Sequence, residues 1–297
     1  MQLALTLVSP TPEAAQAGVD LVNAALAGAR ARVKEPRLLG PGAYDLSVEA
    51  LALAPVRIAV ANALEGLPVD ACVQHWNGRR KRLLIADMDS TIIGCECIDE
   101  LADFAGVKDK VSEITERAMR GELDFESALR ERVAMLKGLS VDVLQRCYDE
   151  RVELNLGART LVRTMAAHGA RAFLVSGGFS FFTSRVAEAA GFHANRANTL
   201  IEANGLLTGE VGRPILGREA KLAALREETS ALGVTPAEAL AVGDGANDLA
   251  MINEAGLGVA YRAKPIVAAE ADAKVDHSDL TALLHFQGYA VQDFVTD

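Results

Sequence analysis

Arg82-Leu83-Leu84-Ile85-Ala86-Asp87-Met88-Asp89-Ser90-Thr91 decides the fold. Four apolar residues in a row, Leu83 to Ala86, read as a strand covered on both faces, the pattern of a parallel sheet. The run delivers two carboxylates, one residue apart, to its C-terminal end. In an open α/β sheet the ligand crevice lies outside the carboxyl ends of the strands. There the first carboxylate can attack a phosphoryl group and the second can handle the leaving group's proton. Both can help hold a divalent cation. Taken alone, the same residues also fit a strand-to-loop turn carrying two solvated acids.

The surroundings favour the chemical reading. Downstream, Ala170 to Ser176 is a second buried strand, Ala239 to Gly243 a third and Leu257 to Ala260 a fourth. Helices are expected between them at Phe179–Ala190, ended by Gly191, at Ile215–Leu232 and at Ala246–Glu254. A hairpin is expected over Leu200–Val211, turning at Asn204-Gly205, a pair that favours a type I′ turn. Strands alternating with helices imply a doubly wound, mostly parallel α/β sheet. Residues 97 to 155 read as charged and helical, with no clear strand. This block leaves the sheet from its catalytic edge, so it is expected to be a helical cap over the site.

Upstream, residues 1–80 form a separate pattern. Leu3–Val8 alternates like a strand, and Pro12–Leu26 is Ala-rich and helical, with Thr11 as N-cap. Strands over Arg32–Leu38 and Tyr44–Val48 flank Gly40-Pro41-Gly42; a helix over Val56–Leu64 and a strand over Val69–His75 follow. The order is βαββαβ, an α+β ferredoxin-like sandwich. The basic loop Asn77 to Arg82 separates it from the second domain, residues 81–297.

Composition narrows the function. The 297 residues suit one large or two modest domains, and half of them are hydrophobic. A net charge of −10 argues against nucleic acid or anionic membranes as partners. No stretch is apolar for long enough to span a bilayer, and the N-terminus lacks a basic leader, so a cytoplasmic location is expected. Cys72, Cys95, Cys97 and Cys147 have no zinc-type spacing, and the five histidines are dispersed.

Three further segments carry phosphate chemistry at or near strand ends. Ser176-Gly177-Gly178 offers a hydroxyl and exposed amides; Lys221 offers a cation; Gly243-Asp244-Gly245-Ala246-Asn247-Asp248 offers a tight turn and hard oxygen ligands. With Asp87-Met88-Asp89-Ser90-Thr91, these segments resemble the four motifs of the haloacid dehalogenase-like hydrolases. The resemblance runs from about Lys81 to Leu284 and is nearest to the branch acting on phosphoserine.

The resemblance implies Asp87 as nucleophile and Asp89 as general acid/base. It implies a Mg²⁺ held by Asp87, the backbone carbonyl of Asp89 and Asp244, with Asp248 supporting the metal or Lys221. Ser176, Gly177, Lys221 and Asn247 would bind the phosphoryl group. In the cap, Glu96 would pair with the substrate ammonium and Arg132 would grip its carboxylate, under an apolar lid of Met119 and Phe125. Another small phosphomonoester, or phosphoryl transfer to an acceptor, keeps the same chemistry. A sensing scaffold without activity would be expected to lack part of this acid set, which here is complete. The N-terminal unit resembles an ACT-like domain, a module that often binds amino acids. Its first strand-to-helix loop, Ser9-Pro10-Thr11-Pro12, lacks the glycine that lets a ligand approach, which favours packing or a homodimer over serine sensing.

Overall fold

The computed structural model describes residues 1–28 and 31–296. The N-terminal unit starts with β1 (Gln2–Val8) and α1 (Pro12–Gly28), whose first turn is capped by the Thr11 hydroxyl accepting the Ala14 N–H at 3.3 Å. The strand expected over residues 32–38 is divided into β2 (Arg32–Val33) and β3 (Arg37–Gly40), paired with opposite ends of β4 (Ala43–Glu49). Pro36 stands between them and has no N–H to give the ladder. α2 (Leu53–Ala63) and β5 (Asp70–His75) complete a sheet ordered β2-β4-β1-β5, antiparallel throughout.

Side chains alternate across this sheet. Leu3, Leu5, Leu7, Leu46 and Val73 pack on Val19, Val22, Val56 and Val60 of the two helices. Val8, Ala43 and Cys72 point the other way, into the core of the following unit. Polar groups on that second face are also answered there: the Gln74 amide donates to Phe286 O at 2.8 Å, and Arg79 forks onto Asp45 at 2.7 and 2.8 Å. Both faces of the small sheet are therefore covered within the chain.

β6 (Leu83–Ala86) opens the second sheet. The helical block that follows comprises α3 (Cys97–Phe104), α4 (Lys108–Met119), α5 (Phe125–Ala134) and α6 (Asp142–Arg151). The chain returns through α7 (Ala158–Ala167) to β7 (Arg171–Phe179), α8 (Ser180–Ala190) and β8 (Ala194–Asn198). The hairpin β9 (Leu200–Ala203) and β10 (Leu206–Val211) turns at Asn204 and Gly205, with φ of 53° and 76°, as a type I′ turn requires. Then come α9 (Arg218–Ala231), β11 (Ala239–Gly243), α10 (Leu249–Glu254), β12 (Leu257–Tyr261), α11 (Pro265–Glu270), β13 (Ala273–Val275) and α12 (Ala282–Phe286).

The six-stranded sheet has the order β13-β12-β11-β6-β7-β8, with every pair parallel. Leu83 and Ile85 face one apolar cluster and Leu84 and Ala86 the other, which is why the run shows no polar alternation. The chain leaves β6 for β7 on one side and later returns to β11 on the other. That reversal makes the C-terminal end of β6 a switch point, where open α/β sheets leave a crevice.

Three boundaries near the C-terminal end of the large sheet differ from expectation. β7 runs on to Phe179, with a register shift against β8 after Val175, so Ser176-Gly177-Gly178 lies in the irregular end of the strand and not in a loop beyond it. α9 begins at Arg218 because Leu216 is engaged elsewhere: its N–H donates to Asn198 Oδ1 at 2.7 Å and its carbonyl accepts the same amide at 3.0 Å. The helix expected from Ala246 opens as a 3₁₀ turn over Ala246–Asp248. Among the described residues, no helix is long and apolar enough to cross a membrane.

Candidate active site

Asp87 extends β6 by one residue, its N–H donating to Val242 O at 3.0 Å. Met88–Ile92 then makes a tight turn in which Ser90 adopts φ 53°, a left-handed conformation uncommon for a side-chain-bearing residue. The Ser90 hydroxyl donates to Glu96 Oε1 at 2.7 Å, drawing the first residue of the cap back toward the acids. The quoted motif thus aims two carboxylates and tethers a third.

Lys221, 1% exposed, stands between Asp87 and Asp248, its Nζ 2.7 Å from Asp87 Oδ1 and 2.6 Å from Asp248 Oδ1. Burial opposes its charge, but Asp248 and Asp87 outweigh burial and hold the ammonium above its ordinary range. The second oxygen of Asp248 accepts the Asp244 and Gly245 N–H groups at 3.2 and 3.1 Å. Both oxygens of Asp248 are therefore occupied.

Asp244 accepts the Thr91 hydroxyl at 3.2 Å. Burial, and next to it the charge of Asp248, push its carboxyl up to about 7. Asp87 is raised by the same two causes. Carboxylate oxygens of Asp87, Asp244 and Asp248 lie within 4.8 Å of one another, and the Lys221 ammonium pairs with two of the three. Hard oxygen donors with surplus negative charge fit a divalent cation such as Mg²⁺.

Asp89 is buried beside them. Its Oδ1 accepts the Cys97 N–H at 2.9 Å and its Oδ2 the Ser176 hydroxyl at 3.0 Å, while Ser176 Oγ accepts the Gly178 N–H at 2.8 Å. Burial raises this carboxyl, and the hydrogen bonds from Cys97 and Ser176 oppose the rise. A raised carboxyl suits a proton donor near neutral pH.

The cap closes over these groups. The Phe125 ring lies so near Gly177 and Gly217 that a Cβ there would come within 2.6 and 2.9 Å of it. Met119 Sδ would meet a Cβ at Gly245 at 2.6 Å. Lys264 of the sheet domain pairs with Glu116 of α4 at 2.9 Å. The cavity between them is about 30 Å³ and is lined by Asp87, Asp89, Ser176, Gly177 and Asn247 from below and Glu96, Met119, Phe125 and Arg132 from the cap. That is room for a few water molecules at most, with the cap in this position. Asn247 Oδ1 is buried with no hydrogen-bond partner in the described structure.

Arg132 is 4% exposed. Its Nε–H donates to Ala128 O at 3.1 Å and its Nη1 to Thr115 Oγ1 at 3.0 Å, and among the described residues no carboxylate lies within ion-pairing distance. Glu96 lines the same cavity, its carboxyl raised by burial and then by the charges of Asp89 and Asp244. Every residue singled out from the sequence thus converges on one place. Sequence reasoning gave no role to Ser90, Thr91, Asp99 or Thr115; only the first two carried a signal, as members of the quoted motif.

The family model for haloacid dehalogenase-like hydrolases matches residues 84–253. The chain belongs to this family and is a hydrolase. It is 48% identical over 224 residues to the phosphoserine phosphatase of a Polaromonas species, which is 74% of this chain and 95% of that one. It is 44% identical over 232 residues to the phosphoserine phosphatase of Archaeoglobus fulgidus, 77% of this chain and 67% of that one. A solved structure of a phospho-aspartyl intermediate analogue of phosphoserine phosphatase superposes with a TM-score of 0.67 and 37% identity, covering 70% of this chain and 99% of the other.

Proposed function

We propose that this hydrolase is a phosphoserine phosphatase, splitting O-phospho-L-serine into L-serine and phosphate as the closing step of serine biosynthesis. The observation that carries the substrate assignment is Arg132: a buried guanidinium with no carboxylate partner, facing the same cavity as Asp87. Glu96, Asp99 and Asp89 act on its charge from a distance but none pairs with it directly, and a substrate carboxylate could take the direct contact with its fork. Glu96 is the complementary group for the substrate ammonium.

Asp87, the carbonyl of Asp89 and Asp244, with Asp248 behind them, would hold Mg²⁺, which would supply the charge that offsets repulsion between a carboxylate and a phosphate dianion. The Asp87 carboxylate attacks phosphorus in line and forms an aspartyl-phosphate. Serine leaves as a poor alkoxide, so Asp89 protonates its oxygen, and then takes a proton from the water that hydrolyses the acyl phosphate. Lys221, Ser176, the Gly177 N–H and Asn247 stabilise charge on the phosphoryl oxygens. Met119 and Phe125 exclude bulk water once the cap has shut.

For residues 1–80 we propose a packing role, since both faces of that sheet are covered by the chain itself. A homodimer through this unit would use the edge made by β2 and β3, where Leu38 is 61% exposed.

The test is phosphate release from phosphoserine with Mg²⁺, beside phosphothreonine, phosphoethanolamine and a sugar phosphate, with Asp87→Asn as control. Preference for phosphoserine, lost in the mutant, is expected. Preference for another ester would keep the nucleophile and overturn the substrate.

A further inference from the structure

Arg132 donates Nη1–H to Thr115 Oγ1 at 3.0 Å, and the Thr115 hydroxyl in turn lies 2.6 Å from Asp99 Oδ1. Thr115 is 3% exposed. Its single hydroxyl hydrogen has two acceptors within reach, Asp99 and Val111 O at 3.0 Å; the shorter, charged acceptor takes it. The three residues come from three different helices: Asp99 from the first turn of α3, Thr115 from α4 and Arg132 from α5. Glu96 is the N-cap residue of α3, so the helix start that presents Glu96 to the cavity also anchors this chain of bonds.

We propose that Thr115 and Asp99 are positioning residues that fix specificity for a carboxylate-bearing substrate. This inference rests on the reading of Arg132 as the carboxylate grip. A carboxylate placed directly on Arg132 would orient the guanidinium but also neutralise it and compete with the substrate. One hydroxyl between Asp99 and Arg132 transmits the orientation while leaving the fork free to pair. The Ala128 carbonyl holds the Nε edge at 3.1 Å, so the guanidinium is fixed at two points by neutral acceptors. The arrangement also ties the three cap helices together at the site, so the grip is set when they are packed.

The experiment compares Thr115→Val, Thr115→Ser, Asp99→Ala, the Thr115→Val/Asp99→Ala double variant and Arg132→Ala in the full chain, each checked for wild-type circular dichroism. Two quantities are read: KM for phosphoserine, and the inhibition constant of inorganic phosphate, which senses the phosphoryl subsite alone. Thr115→Val is expected to raise KM about tenfold, with kcat and phosphate inhibition within about twofold of wild type. Thr115→Ser is expected to restore KM. The double variant is expected to be no worse than Thr115→Val, because both substitutions break one chain of bonds. An unchanged KM in Thr115→Val, or additive effects in the double variant, overturns the inference while a large KM effect of Arg132→Ala leaves the carboxylate grip standing. An unchanged KM in Arg132→Ala overturns both.

Discussion

Replacing Gly178 by alanine probes the proton-donor role of Asp89 without touching Asp89. A Cβ at Gly178 would lie 2.7 Å from Asp89 Oδ2 and 3.0 Å from Ser176 Oγ. Ordinary contact begins near 3.4 Å, so the carboxyl must retreat by about 0.7 Å. Gly178 is not in the left-handed region, so alanine carries no backbone penalty there. Misplacing a reacting group by about 1 Å costs on the order of 10²-fold in rate, about 3 kcal/mol of barrier. The loss must depend on the leaving group. Serine needs protonation to depart and p-nitrophenolate does not. Since kcat/KM covers only the steps up to phosphoenzyme formation, it isolates Asp89 as an acid from its later role as a base. Gly178→Ala is expected to lower kcat/KM about 10²-fold for phosphoserine and only severalfold for p-nitrophenyl phosphate. An equal fall on both substrates with inhibition by inorganic phosphate unchanged, which excludes damage to the Ser176 contact, would refute the assignment of Asp89 as the proton donor.

Two further outcomes are expected. Mg²⁺ should raise the melting temperature of the wild type, because a cation relieves the burial and mutual repulsion that raise Asp87 and Asp244; Asp244→Asn should lose most of that increment, measured by calorimetry with and without Mg²⁺. His285 is 4% exposed and its Nδ1 lies 3.0 Å from Tyr289 O; burial lowers its pKa from 6.5. The unfolded chain therefore takes up that proton first as the pH falls. The contribution of His285 to stability is present above pH 6.5 and is lost as the pH drops toward the folded-state value. His285→Gln should flatten the acid side of a melting-temperature profile between about pH 7.5 and 5, and an unchanged slope would contradict the argument.

The chain wrote parts of this molecule locally. Leu83–Ala86 has no polar residue because both of its faces are buried, and that condition is visible in four letters. Asn204-Gly205 marks its hairpin because few other pairs accept two positive φ angles. Asp87, Asp89, Ser176 and Asp244 could be grouped because each lies at or just beyond a strand's C-terminal end, and a parallel sheet brings those ends together. β8 left no such mark. Ala194-Asn195-Arg196-Ala197-Asn198 is an edge strand, largely half-buried, held by its pairing to β7 and by Asn198 bonding to Gly177 and Leu216. The break at Pro36 and the late start of α9 likewise depend on which partner claims a backbone group.

The sequence by itself determined the four central strands of the parallel sheet and the acids delivered to their C-terminal ends, because strand burial and turn chemistry act over a few adjacent residues; the strand order, and with it the switch point, came from the fold. Only the tertiary structure decided that Lys221 lies buried between Asp87 and Asp248, that the cap is shut over Gly177 and Gly245, and that Arg132 makes no direct ion pair while Thr115 and Asp99 hold it in place. A lysine in a helix or an arginine in a charged run has the same local appearance whether solvated or buried. What separates the two cases is the set of groups brought against it from distant parts of the chain, and that set exists only once the helices have packed.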